Sequence, residues 1–307
     1  MLAWLLRIVV AVVLAAAASW WCWSEQLGWP LAGRIGVLLL ILLPHAPVLA
    51  FEFLLLAAWG DPRPVPRPGV AALFRAWAGE VWWGLWTFGW RQPFRVAAVP
   101  DELHSPGPDR RGVLLVHGFV CNRGLWNPWM ERLRACRVPF AAVSLEPVLG
   151  AIDAYAEPID VAVRRLEAAT GQPPLIVGHS MGGLAARAWL RRLGGPQRCS
   201  GIVTIGTPHH GTWLARFAFS RNGRQMQRGS AWLTALNDVA DTGVVPFDCF
   251  YGNCDNIVFP AATATLHGAR NIHLPGWAHI HMLGSRELFD HVLSRLGASA
   301  NPTTKRE

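Results

Sequence analysis

The amino-acid sequence predicts an α/β fold, a mostly parallel sheet flanked by helices, preceded by an N-terminal membrane-associated helical region. Three features carry that prediction. Residues 1–59 form two apolar blocks with few charges. From residue 111 onward, short apolar runs alternate with longer helical stretches, the order that builds a parallel sheet covered on both faces. A Gly-x-Ser-x-Gly turn at residues 178–182 joins one of these apolar runs to a helix.

Composition limits what the chain can be. Its 307 residues allow one or two domains. With 52% hydrophobic and only 16% charged residues it is too apolar for disorder and more apolar than an average soluble domain, so part of it is expected in lipid. The net charge of +8 comes mostly from Arg spread along the chain. No Lys/Arg cluster or aromatic RNA-binding signature accompanies it, which argues against nucleic acid as a partner and for an anionic membrane surface. The cysteines, Cys22, Cys121, Cys136, Cys199, Cys249 and Cys254, lack the spacing of a metal site. Neither a metal nor a cofactor is expected. Cys249 and Cys254 read as buried free thiols, with a local disulfide as the alternative in an oxidising compartment.

The first apolar block, residues 1–23, is interrupted only by Arg7 and ends in Trp20, Trp21 and Trp23, rings suited to a membrane interface. Its length, and the lack of a small-x-small site after the Trp cluster, weigh against a cleaved signal peptide. The second block, residues 31–59, contains Pro44, His45, Pro47 and Glu52. Proline removes a helical hydrogen bond that lipid cannot replace, so this block reads as a kinked or re-entrant segment. Residues 1–60 thus read as a membrane hairpin, with a buried pair of core helices as the alternative. Glu52 is expected near the interface or protonated within the hairpin. Residues 61–110 combine a Pro-rich linker with a stretch holding Trp77, Trp82, Trp83, Trp86 and Trp90, either an interfacial helix or a cap. Arg63, Arg67 and Arg75 follow the second block, and the positive-inside bias then puts the following domain in the cytoplasm.

Residues 111–297 hold the predicted sheet domain, and a polar tail occupies 298–307. Strands are expected over 113–116, 140–143, 175–177, 202–205, 245–250 and 271–274, with helices over 151–169 and 184–193.

The chemistry centres on Ser180. Gly178 and Gly182, with His179 between the first glycine and the serine, leave room for a sharp strand-to-helix turn that presents the serine hydroxyl at a helix N-terminus. A serine hydroxyl is a poor nucleophile at neutral pH. It needs a histidine to take its proton and an acid to hold that imidazole, in the chain order Ser, acid, His. Asp255, in the loop after the strand over 245–250, is the candidate acid; Asp248 inside that strand and Asp238 and Asp241 before it are weaker choices. His279, in the loop after the last strand, is the candidate base. His281 is the rival, but should already be entering the C-terminal helix. Upstream, the strand over 113–116 runs into His117-Gly118-Phe119, which puts the backbone N–H of Phe119 opposite that of Met181 as an oxyanion hole. His117 reads as a structural residue of this loop, Asn122 and Trp126 as pocket wall or loop packing, and His267 and His273 as surface or packing residues.

Three segments carry a family resemblance: residues 178–183 (GHSMGG), 206–212 (GTPHHGT), and 266–271 (LHGARN) together with 276–280 (GWAHI). Through them the chain from about 111 to 296 resembles the bacterial triacylglycerol lipases and esterases of the α/β-hydrolase superfamily. The resemblance implies an α/β-hydrolase fold and acyl-ester hydrolysis through an acyl-enzyme, with Ser180, Asp255 and His279 as triad and no cofactor. A lipid-like ester would be the substrate and a bacterial inner membrane the location. A serine acyltransferase or thioesterase would use the same residues, and a non-catalytic membrane-anchored scaffold is the reading from another class. His209 and His210 then read as wall residues of the cleft, and 216–228 as a flap over it or a solvated loop.

Overall fold

Strands buried on both faces favour apolar residues, and five of the six short strands at the centre of the molecule are buried at every position, while the last, Arg270–His273, lies at the sheet edge and is partly exposed. The computed structural model describes residues 1–61, 63–103, 111–195, 197–238 and 241–298. Residues 104–110 of the linker and 299–307 of the predicted tail lie outside the described residues. β1 (Val113–Val116), β2 (Phe140–Ala142), β3 (Leu175–His179), β4 (Gly201–Ile205), β5 (Phe247–Tyr251) and β6 (Arg270–His273) form one parallel sheet in the order β2-β1-β3-β4-β5-β6.

The helices, in chain order, are α1 (Leu2–Gln26), α2 (Leu31–Leu42), α3 (His45–Trp59), α4 (Val70–Trp86), α5 (Gln92–Phe94), α6 (Asn127–Ala135), α7 (Ala156–Thr170), α8 (Met181–Trp189), α9 (Arg221–Gln225), α10 (Ala231–Asn237) and α11 (Arg286–Arg295). Successive strand residues point to opposite faces. Leu114, Val116 and Ile176 accordingly bury against Ile159, Val163 and Leu166 of α7 and Leu184 and Trp189 of α8. Leu115, Val177 and Val203 bury on the other face with Trp129 and Leu133 of α6 and Phe289 and Val292 of α11.

Trp129 ties that second face together. It is buried, its Nε1–H donates to the Leu283 carbonyl at 2.8 Å, and its ring meets Phe289 edge-on at 5.1 Å. Trp129→Ala leaves both a cavity and an orphaned carbonyl, so a loss of about 3–5 kcal/mol is expected. Urea unfolding followed by circular dichroism would read it as a lower midpoint, and a change below about 1 kcal/mol would contradict this packing.

The strand boundaries differ from expectation at their ends. β2 stops at Ala142, β4 begins at Gly201, and β5 and β6 span Phe247–Tyr251 and Arg270–His273. β3 runs on to His179, two residues past the apolar run, because Gly178 and His179 keep pairing with Thr204 and Ile205 of β4. The helix expected over 184–193 starts at Met181, directly after the serine, and closes in a π-turn, Leu190–Gly194. The one expected over 151–169 opens with a 3-10 turn, Ile152–Tyr155, before α7.

α1 is long and apolar enough to cross a membrane, while α2 and α3 bend by 71° at Leu43-Pro44, where the proline interrupts the helix. α3 and α4 lie on the sheet domain: Phe53, Leu55, Leu56 and Ala76 bury with Trp213, Cys254, Phe259 and Ala278. The inward stripe of α4 is Ala76, Glu80 and Gly84, and its Phe74, Trp82 and Trp86 are exposed. The Trp-rich segment is therefore packed on the domain along one face and open along the other. Cys249 and Cys254 are separate buried free thiols, Cys249 beside the His209 ring and Cys254 within the cluster that holds α3, so the disulfide alternative is set aside.

Candidate active site

Ser180 sits at the junction of β3 and α8 with φ 55° and ψ −129°, a left-handed backbone that an ordinary residue adopts only when its surroundings enforce it. The enforcement is visible. Its amide donates to the Ile205 carbonyl at 2.8 Å, and its carbonyl accepts from Gly183 at 3.0 Å. A Cβ on Gly178 would come within 2.7 Å of the Gly183 nitrogen, and one on Gly182 would meet the Val116 and His117 carbonyl oxygens. The small residues predicted around the serine are thus places where three backbone segments touch. The first amides of α8, beginning with Met181, have no partner within the helix and concentrate positive potential beside the serine.

On the opposite side lies the loop after β1. A Cβ on Gly118 would stand 2.8 Å from Ser180 Cβ and 3.3 Å from its Oγ, so the Gly118-Phe119 turn passes directly over the hydroxyl. His117 is buried: its Nδ1–H donates to the Gly118 carbonyl at 2.8 Å and its Nε2 accepts from the Leu145 amide at 2.9 Å. Burial pushes this imidazole down to about 4, so it is neutral and clamps the loop. Asn122 pairs with Gln92 and caps the next turn, and Trp126 is core. Neither forms a wall around Ser180 through these contacts.

Asp255 and His279 are both buried, in the loops after β5 and β6. His279 Nδ1 lies 3.0 Å from each Asp255 carboxylate oxygen. Asp255 Oδ1 also accepts from the Ile257 and Val258 amides at 3.0 and 2.8 Å, which fixes the plane of the carboxylate. The pair is seated against the end of β4. Gly206 has φ +54°, and a Cβ there would be 2.9 Å from Asp255 Oδ2 and 3.1 Å from His279 Nδ1, so only glycine fits. His179 packs its ring 4.7 Å from that of His279, and burial holds His179 well below the ordinary range. Ser180 with Met181 at the start of α8, the Gly118-Phe119 turn after β1, and the Asp255–His279 pair in the loops after β5 and β6 thus all lie at the C-terminal edge of the sheet.

The other candidates lie elsewhere. Asp248 binds His291 and Arg295 of α11, Asp238 ends α10, and Asp241 opens a 3-10 turn, Asp241–Gly243. His281 faces Trp277 and begins its own 3-10 turn, His281–Gly284. His273 packs on Tyr251, and the His267 carbonyl accepts from Thr242. His209 is buried between Thr204 and Arg187, and His210 meets Asn237. The stretch over 216–228 is tied down: its buried Asn222 donates to the Val148 carbonyl at 2.8 Å and Thr212 to that of Met226, leaving Phe217 and Phe219 exposed at the bend. Among the described residues no group of three His, Cys, Asp or Glu side chains is placed to hold a metal ion. Three residues not anticipated as part of the site touch it: Gly206, Asn256, whose Oδ1 accepts from the His279 amide at 3.3 Å, and Glu80 of α4, which binds the amides of Ile280 and His281. A lone acid inside an apolar, Trp-rich helix was the available signal for Glu80.

This sheet order, elbow and loop arrangement define an α/β-hydrolase-fold protein, and the family model described as the alpha/beta hydrolase fold matches residues 113–240. In structure the chain is similar to the Bacillus licheniformis lipase BlEst2 in its mature form, at 19% identity and a TM-score of 0.56 over 64% of this chain and 96% of that one. It is also similar to Aspergillus fumigatus lipase B, at 19% identity and a TM-score of 0.55 over 66% of this chain and 57% of that one. In sequence it is 30% identical over 132 residues to the probable oxidoreductase EphD of Mycobacterium tuberculosis, a match covering 38% of this chain and 22% of that protein. The chain therefore spans less than a quarter of that relative's length.

Proposed function

We propose that the protein is a membrane-associated serine carboxylic ester hydrolase, a lipase or esterase, acting on a lipid-like ester through an acyl-enzyme. The observation that carries this reading is the His279–Asp255 pair held against the end of β4, beside a serine whose backbone is strained at the start of α8. Ser180 Oγ attacks the ester carbonyl as its proton passes to His279 Nε2, and the carbonyl oxygen takes its negative charge to the amides of Phe119 and Met181. The alkoxide leaves with the proton from His279. Water, deprotonated by the same imidazole, then releases the carboxylic acid and restores Ser180.

The membrane part of the proposal draws on α1. Its 25 residues reach about 37 Å, enough for a hydrocarbon core of about 30 Å. Exposed apolar side chains continue from it onto α2, α3 and α4, among them Leu40, Phe51, Leu54, Phe74 and Trp82. A cleft on such a support meets a lipid ester where it is concentrated.

Hydrolysis of p-nitrophenyl esters from short to long acyl chains, with active-site phosphonate labelling read by mass spectrometry, tests the reaction. Turnover together with an adduct on Ser180 is expected; the absence of both overturns the proposal. A competing alcohol in the same assay separates hydrolysis from acyl transfer.

The pH dependence follows from the base. Burial works against the charged form of His279, but the Asp255 carboxylate and its hydrogen bond, with Glu80 and Glu52 behind them, outweigh it and raise the imidazole above its ordinary 6.5. A base must be neutral to take a proton, so kcat/KM is expected to fall as pH drops, with the acid limb centred above pH 6.5. A pH–rate profile with its limb below that value would contradict the assignment of His279.

A further inference from the structure

The loop that carries His279 is gripped from the side of the N-terminal helices. Glu80, on the inward stripe of α4, is 2% exposed, and among the described residues no Lys or Arg forms an ion pair with it. Both its oxygens accept from the Ile280 amide at 3.0 Å, and one accepts from the His281 amide at 2.8 Å. Glu52, on α3, accepts from Asn256 Nδ2 at 2.7 Å. With its NH2 held by Glu52, the Asn256 carboxamide faces the loop with its oxygen, which accepts from the His279 amide. Three consecutive amides, at 279, 280 and 281, are thereby bound by side chains that α3 and α4 supply or orient.

We propose that Glu80 and Glu52 are positioning residues for His279, which makes α3 and α4 part of the catalytic apparatus as well as the tether. This rests on the triad reading above. A merely structural clamp on two amides needs only a neutral acceptor, and a carboxylate costs far more to bury. Its charge has a use here. When Ser180 gives up its proton, positive charge forms on His279, and the titratable groups around that ring are Asp255, Glu80, Glu52 and the imidazole of His179. Burial raises Glu80 to about 7 even with the charge of His279 and the two amides favouring the carboxylate. Glu80 is thus most strongly a carboxylate at the moment His279 is charged.

The test compares wild type with Glu80→Gln and Glu52→Gln, each checked for native circular dichroism, using steady-state kinetics on one soluble ester across pH. Placed where Oε2 sits, the carboxamide oxygen that Glu80→Gln introduces still accepts from both amides, at the cost of its NH2 lying 3.0 Å from the Ile280 nitrogen, so the loop keeps an anchor while the charge is gone. For Glu80→Gln we expect kcat to fall on the order of ten- to a hundredfold with KM nearly unchanged, and the acid limb of kcat/KM to move to lower pH. Glu52→Gln retains an acceptor for Asn256 and is expected to move the limb in the same direction with a smaller loss of kcat. A folded Glu80→Gln with wild-type kcat, or one that loses kcat with an unmoved limb, overturns the proposal. If Glu80→Gln does not fold, Glu52→Gln carries the test, and an unmoved limb there overturns it equally. Wild type lacking Ser180-dependent turnover is the separate result that removes the hydrolase reading itself.

Discussion

Ser180→Ala is expected to lower kcat by about 10⁶-fold while leaving the fold intact, the scale on which removing the nucleophile of a serine triad acts. The elbow explains why the fold survives. The strain at residue 180 is imposed by the Ile205 carbonyl, by Gly183 and by the crossing of the His117 turn, and the hydroxyl takes no part in those contacts. Alanine tolerates φ 55° little worse than serine does, so thermal unfolding should change by only a few degrees. Residual turnover above the uncatalysed rate is expected, because the proposed oxyanion donors, the amides of Phe119 and Met181, do not depend on the hydroxyl and a water can attack in its place. Phosphonate labelling must vanish completely, since it requires the oxygen itself. Retained labelling in Ser180→Ala would move the nucleophile elsewhere.

The sheet was legible because burial on both faces leaves a signature in every residue of a strand, as in Val113-Leu114-Leu115-Val116, and the elbow because its glycines are demanded by backbone contacts. Strand ends were less legible. Gly178 and His179 have no strand preference of their own and pair only because β4 is alongside. The place of α3 and α4 was hidden for a different reason: a protein core and a bilayer select the same apolar residues, so Phe53 and Leu56, which pack on Phe259, read no differently from Phe51 and Leu54, which are exposed. Glu80 was the least visible. Its partners are backbone amides 200 and 201 positions away, and every residue but proline has such an amide, so no residue type at 280 or 281 advertises the contact. Asn256 shares this fate, as its role comes from Glu52 at one end and the His279 amide at the other.

Asp255→Asn is expected to cost about 10⁴-fold in kcat at neutral pH, far more than the loss of one hydrogen bond would suggest. The reason lies in how the side chain is held. Asp255 Oδ1 accepts from the Ile257 and Val258 amides, and an asparagine can satisfy both only by placing its carbonyl oxygen there. Its NH2 group then occupies the Oδ2 position, 3.0 Å from His279 Nδ1. The oxygen at the Oδ1 place, also 3.0 Å from Nδ1, is already taken by two amides, while the NH2 beside it can only donate, so the balance shifts toward the imidazole tautomer that carries its proton on Nε2. That tautomer has nothing to accept the Ser180 proton with. The variant should keep its circular dichroism spectrum and KM and lose kcat, with proton NMR of the His279 ring reporting the change of tautomer. A variant that retained kcat within tenfold would mean that Asp255 is not the acid that orients His279.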